Sequence, residues 1–244
     1  LSKWLYSRGL FPLAASIRRL DASHFRSTAE HREALTGLIR DYRNLLGQGV
    51  IARFDPETYS DSIAFARMGE GSIGGKARGL AFMNSMLIKY RFYDRHPEVR
   101  ITIPRSVVIA TDYFDAFIRD NGLEYIIAQE FSDEEILAEF VGARLPEPLY
   151  DQLRAYIRTV RAPLAVRSSS KLEDSHYQPF AGIYSTYMIP HTDNEDQMLR
   201  LLVKAIKCVY ASVYYAASRA YIQSSQNLLS EEKMAVILQE VCGS

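Results

Sequence analysis

Toward the N-terminus, apolar residues recur every three or four positions. Trp4, Leu5, Leu10, Leu13, Ile17 and Leu20 form one set, Leu35, Leu38, Ile39 and Leu45 a second, with polar breaks at Asp21-Ala22-Ser23 and Gly47-Gln48-Gly49. That spacing predicts two helices or a helical hairpin. A third set, Leu80, Met83, Met86 and Leu87, predicts a helix that follows directly on a glycine-rich stretch. Ile101 to Pro104 and Val107 to Ala110 read as a strand. Thr111-Asp112 offers helix-capping side chains for a segment through Ile118, stopped by Asn121-Gly122. Ser132-Asp133-Glu134-Glu135 opens another short helix, and Pro146 to Val160 forms a third. Two unbroken apolar runs, Ala162 to Val166 and Met234 to Val241, read as buried strands. Between them, Leu199, Leu202, Val203, Ile206, Tyr210, Val213, Tyr214 and Ala217 keep helical spacing over about 30 to 45 Å if unbroken.

Composition narrows the class. The chain has 244 residues, of which 48% are hydrophobic, enough to fill a substantial core in one large domain or two small ones. Its net charge is zero and its sequence pI is about 7.1, which argues against a general binder of nucleic acid or of acidic membranes. Charges interrupt every long apolar stretch, so no membrane-spanning segment or signal peptide is predicted. The two cysteines, Cys208 and Cys242, have neither metal-ligand spacing nor the density of a disulfide scaffold, which points to a reducing cytoplasm. Any anion site must therefore be local.

Two segments carry the chemistry. In Val166-Arg167-Ser168-Ser169-Ser170, an apolar run delivers one arginine into three hydroxyls, and Gly182 closes the segment before a second β-rich run. Arginine presents a planar fork of donors to phosphate oxygens, serines add short-range donors, and glycine lets backbone approach a ligand. A serine-rich surface turn is the alternative. The second segment, Gly69-Glu70-Gly71-Ser72-Ile73-Gly74-Gly75-Lys76-Ala77-Arg78-Gly79-Leu80, runs into a helix. Such a loop presents free N–H groups and the positive end of the helix dipole to an anion, and Lys76 adds a mobile charge. It is not a Walker A loop, because Glu70 and Ala77 replace the required glycine and hydroxyl. Gly69-x-Gly71-x-x-Gly74 satisfies the dinucleotide pattern, but no clear strand precedes it and no βαβ context is evident.

Taken together and in order, Gly-Gly-Lys-Ala-Arg-Gly-Leu, Ala-Val-Arg-Ser-Ser-Ser-x-x-Glu-Asp-Ser with Phe-Ala-Gly-x-Tyr-x-Thr, and Val-Ile-Leu-Gln-Glu-Val resemble the nucleotide-binding domain of phosphoenolpyruvate synthase and pyruvate phosphate dikinase. The resemblance runs from about Gly69 to the C-terminus. It implies an α+β fold, a partial ATP-grasp-like domain with a mixed sheet and flanking helices over residues 69–244, preceded by a helical extension over residues 1–68. It also implies ATP as ligand. Lys76 and Arg167 then fall on the phosphate-holding, catalytic positions, with Gly74, Gly75, Ser168, Ser169 and Gly182 around the triphosphate. Gln239, Glu240 and Val241 fall on the strand that meets adenine; an ordinary core strand is the alternative. The resemblance further implies Mg²⁺, with ligands expected downstream of Ser244, and pyruvate reached through a phosphohistidine domain and a barrel that are absent here. Both ends look cut, so the expectation is a fragment inactive by itself.

Other residues carry less. His176 lies within the hydroxyl loop, but the resembling family carries its phosphoryl-accepting histidine elsewhere, and an exposed loop histidine is expected. The remaining histidines have no ligand spacing. Glu173 and Asp174 balance Arg167 and Lys171, so no metal ligand is assigned in this chain. The tyrosine-rich helical stripe is read as core rather than as a base-stacking surface. Arg18-Arg19 with Arg26 is read as a solvated helix face rather than a contact for an acidic partner. Residues 1–68 connect to something upstream, and assembly into a homo-oligomer is left open. Two rival functions share these motifs: an antibiotic- or glucan-phosphorylating enzyme on the same nucleotide domain, and a nucleotide-sensing module without catalysis.

Overall fold

The computed structural model describes residues 1–20, 22–46, 51–59, 63–90, 99, 101–129, 131–170, 182–224 and 232–242. The chain divides into two compact units, one comprising Leu1–Val50 with Asp61–Ile63 and the other Ile51–Ser60 with Ala64–Ser244. The division falls earlier than the boundary drawn after residue 68 from the sequence.

The first unit is helical, with α1 (Ser2–Ser7), α2 (Phe11–Arg18) and α3 (Thr28–Leu46). The periodic set from Trp4 to Leu20 is split between two helices, because Gly9 adopts a φ of 73° between them, a conformation that costs glycine little. Leu5, Leu13, Ala14 and Ile17 are buried, with Leu10, Leu35, Leu38, Ile39 and Tyr42 packed against them. Trp4 is excluded from that core and is 56% exposed.

The second unit is built on a six-stranded mixed sheet. Its strands are β1 (Ala52–Arg53), β2 (Phe65–Met68), β3 (Ser106–Ile109), β4 (Leu164–Ser170), β5 (Thr186–Ile189) and β6 (Met234–Glu240). Their order is β1-β2-β3-β6-β4-β5. The first three run parallel, and β6 is inserted antiparallel between β3 and β4. Met234 to Leu238 are all fully buried, so both faces of this central strand are covered there, which accounts for its unbroken apolar run. Helix α4 (Gly74–Lys89) connects β2 to the parallel β3. The apolar run of the sequence became a strand at Met234–Glu240 as expected, whereas β2 was not expected at all.

Helices α5 (Thr111–Asp120), α6 (Tyr125–Ala128), α7 (Asp133–Gly142) and α8 (Glu147–Ile157) lie between β3 and β4 in sequence. Helix α7 starts with a reciprocal capping box: Ser132 Oγ accepts from the Glu135 amide, and the Glu135 carboxylate accepts from the Ser132 amide. The long periodic segment near the C-terminus is two helices, α9 (Glu195–Ala211) and α10 (Ala216–Ser224), with a 3₁₀ turn over Ser212–Tyr214. Tyr215 is extended, and the Ser218 hydroxyl donates to the Ser212 carbonyl at 2.6 Å, which stabilises the break. The tyrosine stripe is core: Tyr210 and Tyr214 pack with Phe114, Phe117 and Phe140. Among the described residues no helix is long and apolar enough to cross a membrane.

On the α4 side of the sheet, Phe65, Ile73, Ala77, Val108, Ala235 and Ile237 form one buried cluster. Helix α4 comes so close to β4 that a Cβ on Gly74 would overlap the carbonyl of Ser169, and Gly74 itself has a φ of 72°. Gly79, also in α4, faces open space. Gly74→Ala is expected to lower stability by more than about 2 kcal/mol through backbone overlap and left-handed strain. Gly79→Ala is expected to raise it by about 0.5 to 1 kcal/mol through helix propensity. Urea denaturation of the two variants checks both signs.

Candidate functional site

The two motif segments, more than ninety residues apart in sequence, meet where α4 begins. Ser169 Oγ donates to the Ile73 carbonyl at 2.8 Å and accepts from the Ala77 amide at 3.0 Å, joining β4 to the first turn of α4. Gly74 and Gly75 are buried in that turn. Lys76 follows them, and its Nζ donates to Ser168 Oγ at 3.2 Å. Lys76 is thus brought beside the immediate neighbour of Arg167.

Arg167 is half-buried on β4. Its Nη1 donates to Gln239 Oε1 at 2.9 Å, and Gln239 Nε2 donates on to Ser106 Oγ at 3.2 Å. Strand register explains the reach, since Arg167 lies opposite Ile237 and Ala165 opposite Gln239, so the four side chains share a face. The other donors of the guanidinium have no partner among the described residues. Further along, Glu240 pairs with Arg105 at 2.7 Å, and Arg105 also donates to the Thr159 carbonyl and lies over the Tyr59 ring. The amides of Glu240 and Val241 donate to the carbonyls of Arg105 and Pro163, both at 2.9 Å. These two amides are therefore engaged within the protein. Gly182 has a φ of 80° and open space where a Cβ would stand, and among the described residues it makes no contact with the α4 turn. His176, Glu173, Asp174 and most of the hydroxyl loop lie outside the described residues.

The glycine-rich loop differs from its expected form in two ways. A strand does precede it: β2, α4 and β3 make a parallel βαβ unit, with Gly69-x-Gly71-x-x-Gly74 at the turn. Four of its amides, expected to be free for an anion, already have partners. The Asp112 carboxylate accepts from Glu70 N at 2.9 Å and Gly71 N at 3.0 Å, and Thr111 Oγ1 accepts from Ser72 N at 3.0 Å. Gly74 N donates to Ser72 Oγ at 3.2 Å. Thr111 and Asp112, read from the sequence as caps of their own helix, cap the loop instead; α5 has Ala110 at its N-cap and no side-chain capping bond. A nest of amides attracts a carboxylate for the same reason it attracts phosphate. The glycines follow from this contact. A Cβ at Gly69 would stand 2.5 Å from Asp112 Oδ1, and one at Gly71 would stand 2.6 Å from Asp112 N. Burial, and then the Asp112 charge, push the neighbouring Tyr113 phenol above its usual range, with Arg53 pulling the other way.

Sequence reasoning located Lys76, Arg167, the serines and β6, but missed Ser106, Arg105 and the role of Asp112. No local pattern marks these residues, because each acts on a partner about forty residues away or more.

Residues 70–244 match the family model described as pyruvate phosphate dikinase, AMP/ATP-binding domain. The chain is 29% identical over 147 residues to an uncharacterized phosphotransferase, YvkC, of Bacillus subtilis, covering 59% of this chain and 16% of that protein. It is 26% identical over 194 residues to a phosphoenolpyruvate synthase of Aeropyrum pernix, covering 70% of this chain and 21% of that protein. The chain thus spans about a fifth or less of the length of these relatives.

If Asp112 is the anion that organises the loop, Asp112→Ala should speed amide exchange at Glu70 and Gly71. It should also cost about 1 kcal/mol, near the low end for two lost acceptor contacts because the loop is partly solvated. Exchange at Ala77, held by Ser169, should stay slow. Hydrogen exchange read by NMR separates these sites, and unchanged rates at Glu70 and Gly71 would contradict the assignment.

Proposed function

The chain belongs to the pyruvate phosphate dikinase AMP/ATP-binding domain family, and we propose that it forms the ATP-holding part of a phosphotransferase of the phosphoenolpyruvate synthase or dikinase type, on an ATP-grasp-like scaffold. Lys76 and Arg167 hold the phosphates. The observation that carries this is their placement: Lys76 Nζ reaches the hydroxyl next to Arg167, and the guanidinium has spent one donor on Gln239 among the described residues. Ser168 adds its hydroxyl. Ser169, with both its bonds inside the protein, acts by fixing α4, and Gly74 and Gly75 allow the close approach.

Spacing along the sheet supports a nucleotide lying across β4 and β6. Glu240 pairs with Leu164, three residues from Arg167, which is about 10 Å at the rise of a strand. That is of the order separating a base from its terminal phosphates, so Gln239, Glu240 and Val241 stand at the base end. With the amides of Glu240 and Val241 already engaged, other groups at this end meet the adenine.

Phosphoryl transfer asks the protein mainly to position the phosphates and to neutralise developing charge. Two converging cations do that. Mg²⁺ supplies further neutralisation when bound; no cluster of three or more His, Cys, Asp or Glu side chains converges among the described residues, and Mg²⁺ is assigned no ligand here. Onward transfer, to an enzyme histidine and then to pyruvate, is assigned to regions outside these 244 residues.

Removing one charge-assisted hydrogen bond costs about 1.5 to 3 kcal/mol, which corresponds to roughly tenfold or more in affinity. Arg167→Ala and Lys76→Ala should each weaken ATP binding by at least that factor, with melting temperatures recorded alongside. Calorimetric titration of ATP into the whole protein and into this chain measures the effect. Unchanged affinity in a folded variant removes that residue from the site.

A further inference from the structure

A cavity of about 280 Å³ lies in the second unit, lined by Arg144, Leu145, Glu147, Tyr150, Val203 and Lys207. None of these residues belongs to the α4–β4 junction. Lys207 projects from α9, and its Nζ donates to the Val141 carbonyl near the end of α7 at 3.0 Å. No carboxylate pairs with it among the described residues. An ammonium has three donors, of which the Val141 carbonyl takes one, and the half-buried group stands beside an apolar wall formed by Leu145 and Val203. Burial accordingly lowers the amine's affinity for a proton, against a smaller upward pull from Cys208. A lowered proton affinity raises the share of the neutral amine, the form that carries the reactive lone pair. A purely structural lysine capping α7 would be served as well by full exposure, as on Lys204 one turn earlier, and needs no cavity.

We propose that Lys207 is a reactive amine in a second site for small carbonyl compounds bearing an anionic group, with Arg144 at the cavity wall receiving the anion. The lone pair on Nζ attacks the carbonyl carbon and forms the carbon–nitrogen bond. The carbonyl oxygen then takes the two protons released from nitrogen and leaves as water, giving an imine without any change of oxidation state. When protonated, the imine retains one N–H for the Val141 carbonyl. The apolar wall favours it over the ammonium because its charge is spread over carbon and nitrogen.

Pyridoxal 5′-phosphate, an aldehyde with one anionic group, is a suitable probe. The folded chain is incubated with it at neutral pH, reduced with borohydride and mapped by peptide mass spectrometry. The expected result is several-fold more adduct on Lys207 than on Lys204. Arg144→Gln, at an exposed position, should lower the Lys207 adduct to the Lys204 level while leaving labelling by the neutral aldehyde propanal unchanged. Equal or greater labelling of Lys204 in the unsubstituted protein overturns the reactive amine. An unchanged phosphate-aldehyde adduct in Arg144→Gln overturns the anion site. Neither outcome depends on ATP.

Discussion

The hydroxyl of Ser169 fixes where α4 starts on the sheet, and the position of Lys76 relative to Arg167 depends on that start. It is fully buried, donates to one backbone group of the α4 turn and accepts from another, so it can be replaced only by a group that does both. Two residues back on the same face of β4, Arg167 reaches Gln239, and the intervening Ser168 accepts from Lys76. The absence of a Cβ at Gly74 completes the contact. A buried serine at position 169 is thus a consequence of α4 packing with its polar backbone turn directly against the sheet.

The glycine-rich loop shows how a motif can be correct in composition and mistaken in recipient. Its amides are arranged for an anion, and the anion is Asp112, supplied by the chain itself. In a dinucleotide fold the corresponding turn is left open for pyrophosphate. Here the proposed phosphate contacts pass to side chains, Lys76 and Arg167, which can adjust as charge moves during transfer. That division suits a loop whose task is to hold a helix still.

Much of the fold was legible in hydrophobic period. Helices α5, α7 and α8 and the strands ending at Val166 and Val241 were anticipated within a few residues, since each has a strong pattern or clear start and stop signals; the single turn of α6 was not. Strand β2 was not, because Phe65-Ala66-Arg67-Met68 is short and carries a charge at its centre; Arg67 reaches Glu70 to satisfy it. The break after Ala211 was hidden because the apolar spacing continues through it, while the new direction is held by the bond from Ser218 to Ser212 and by bonds of Ala216 and Arg219 to Asp133 and Phe131. At the site, the cations were visible as residue types in a spacing shared with a known family. Ser106, Arg105 and Asp112 were not, because their partners are set by sheet order, which sequence spacing does not encode.

Charge convergence is the central claim, and a crystal structure of this chain with a non-hydrolysable ATP analogue tests it most directly. The expected structure has the analogue's phosphate oxygens within hydrogen-bonding distance of both Lys76 Nζ and the guanidinium of Arg167, with the base toward Glu240. A triphosphate seated elsewhere, or one touching the Glu70 and Gly71 amides after displacing Asp112, would contradict it.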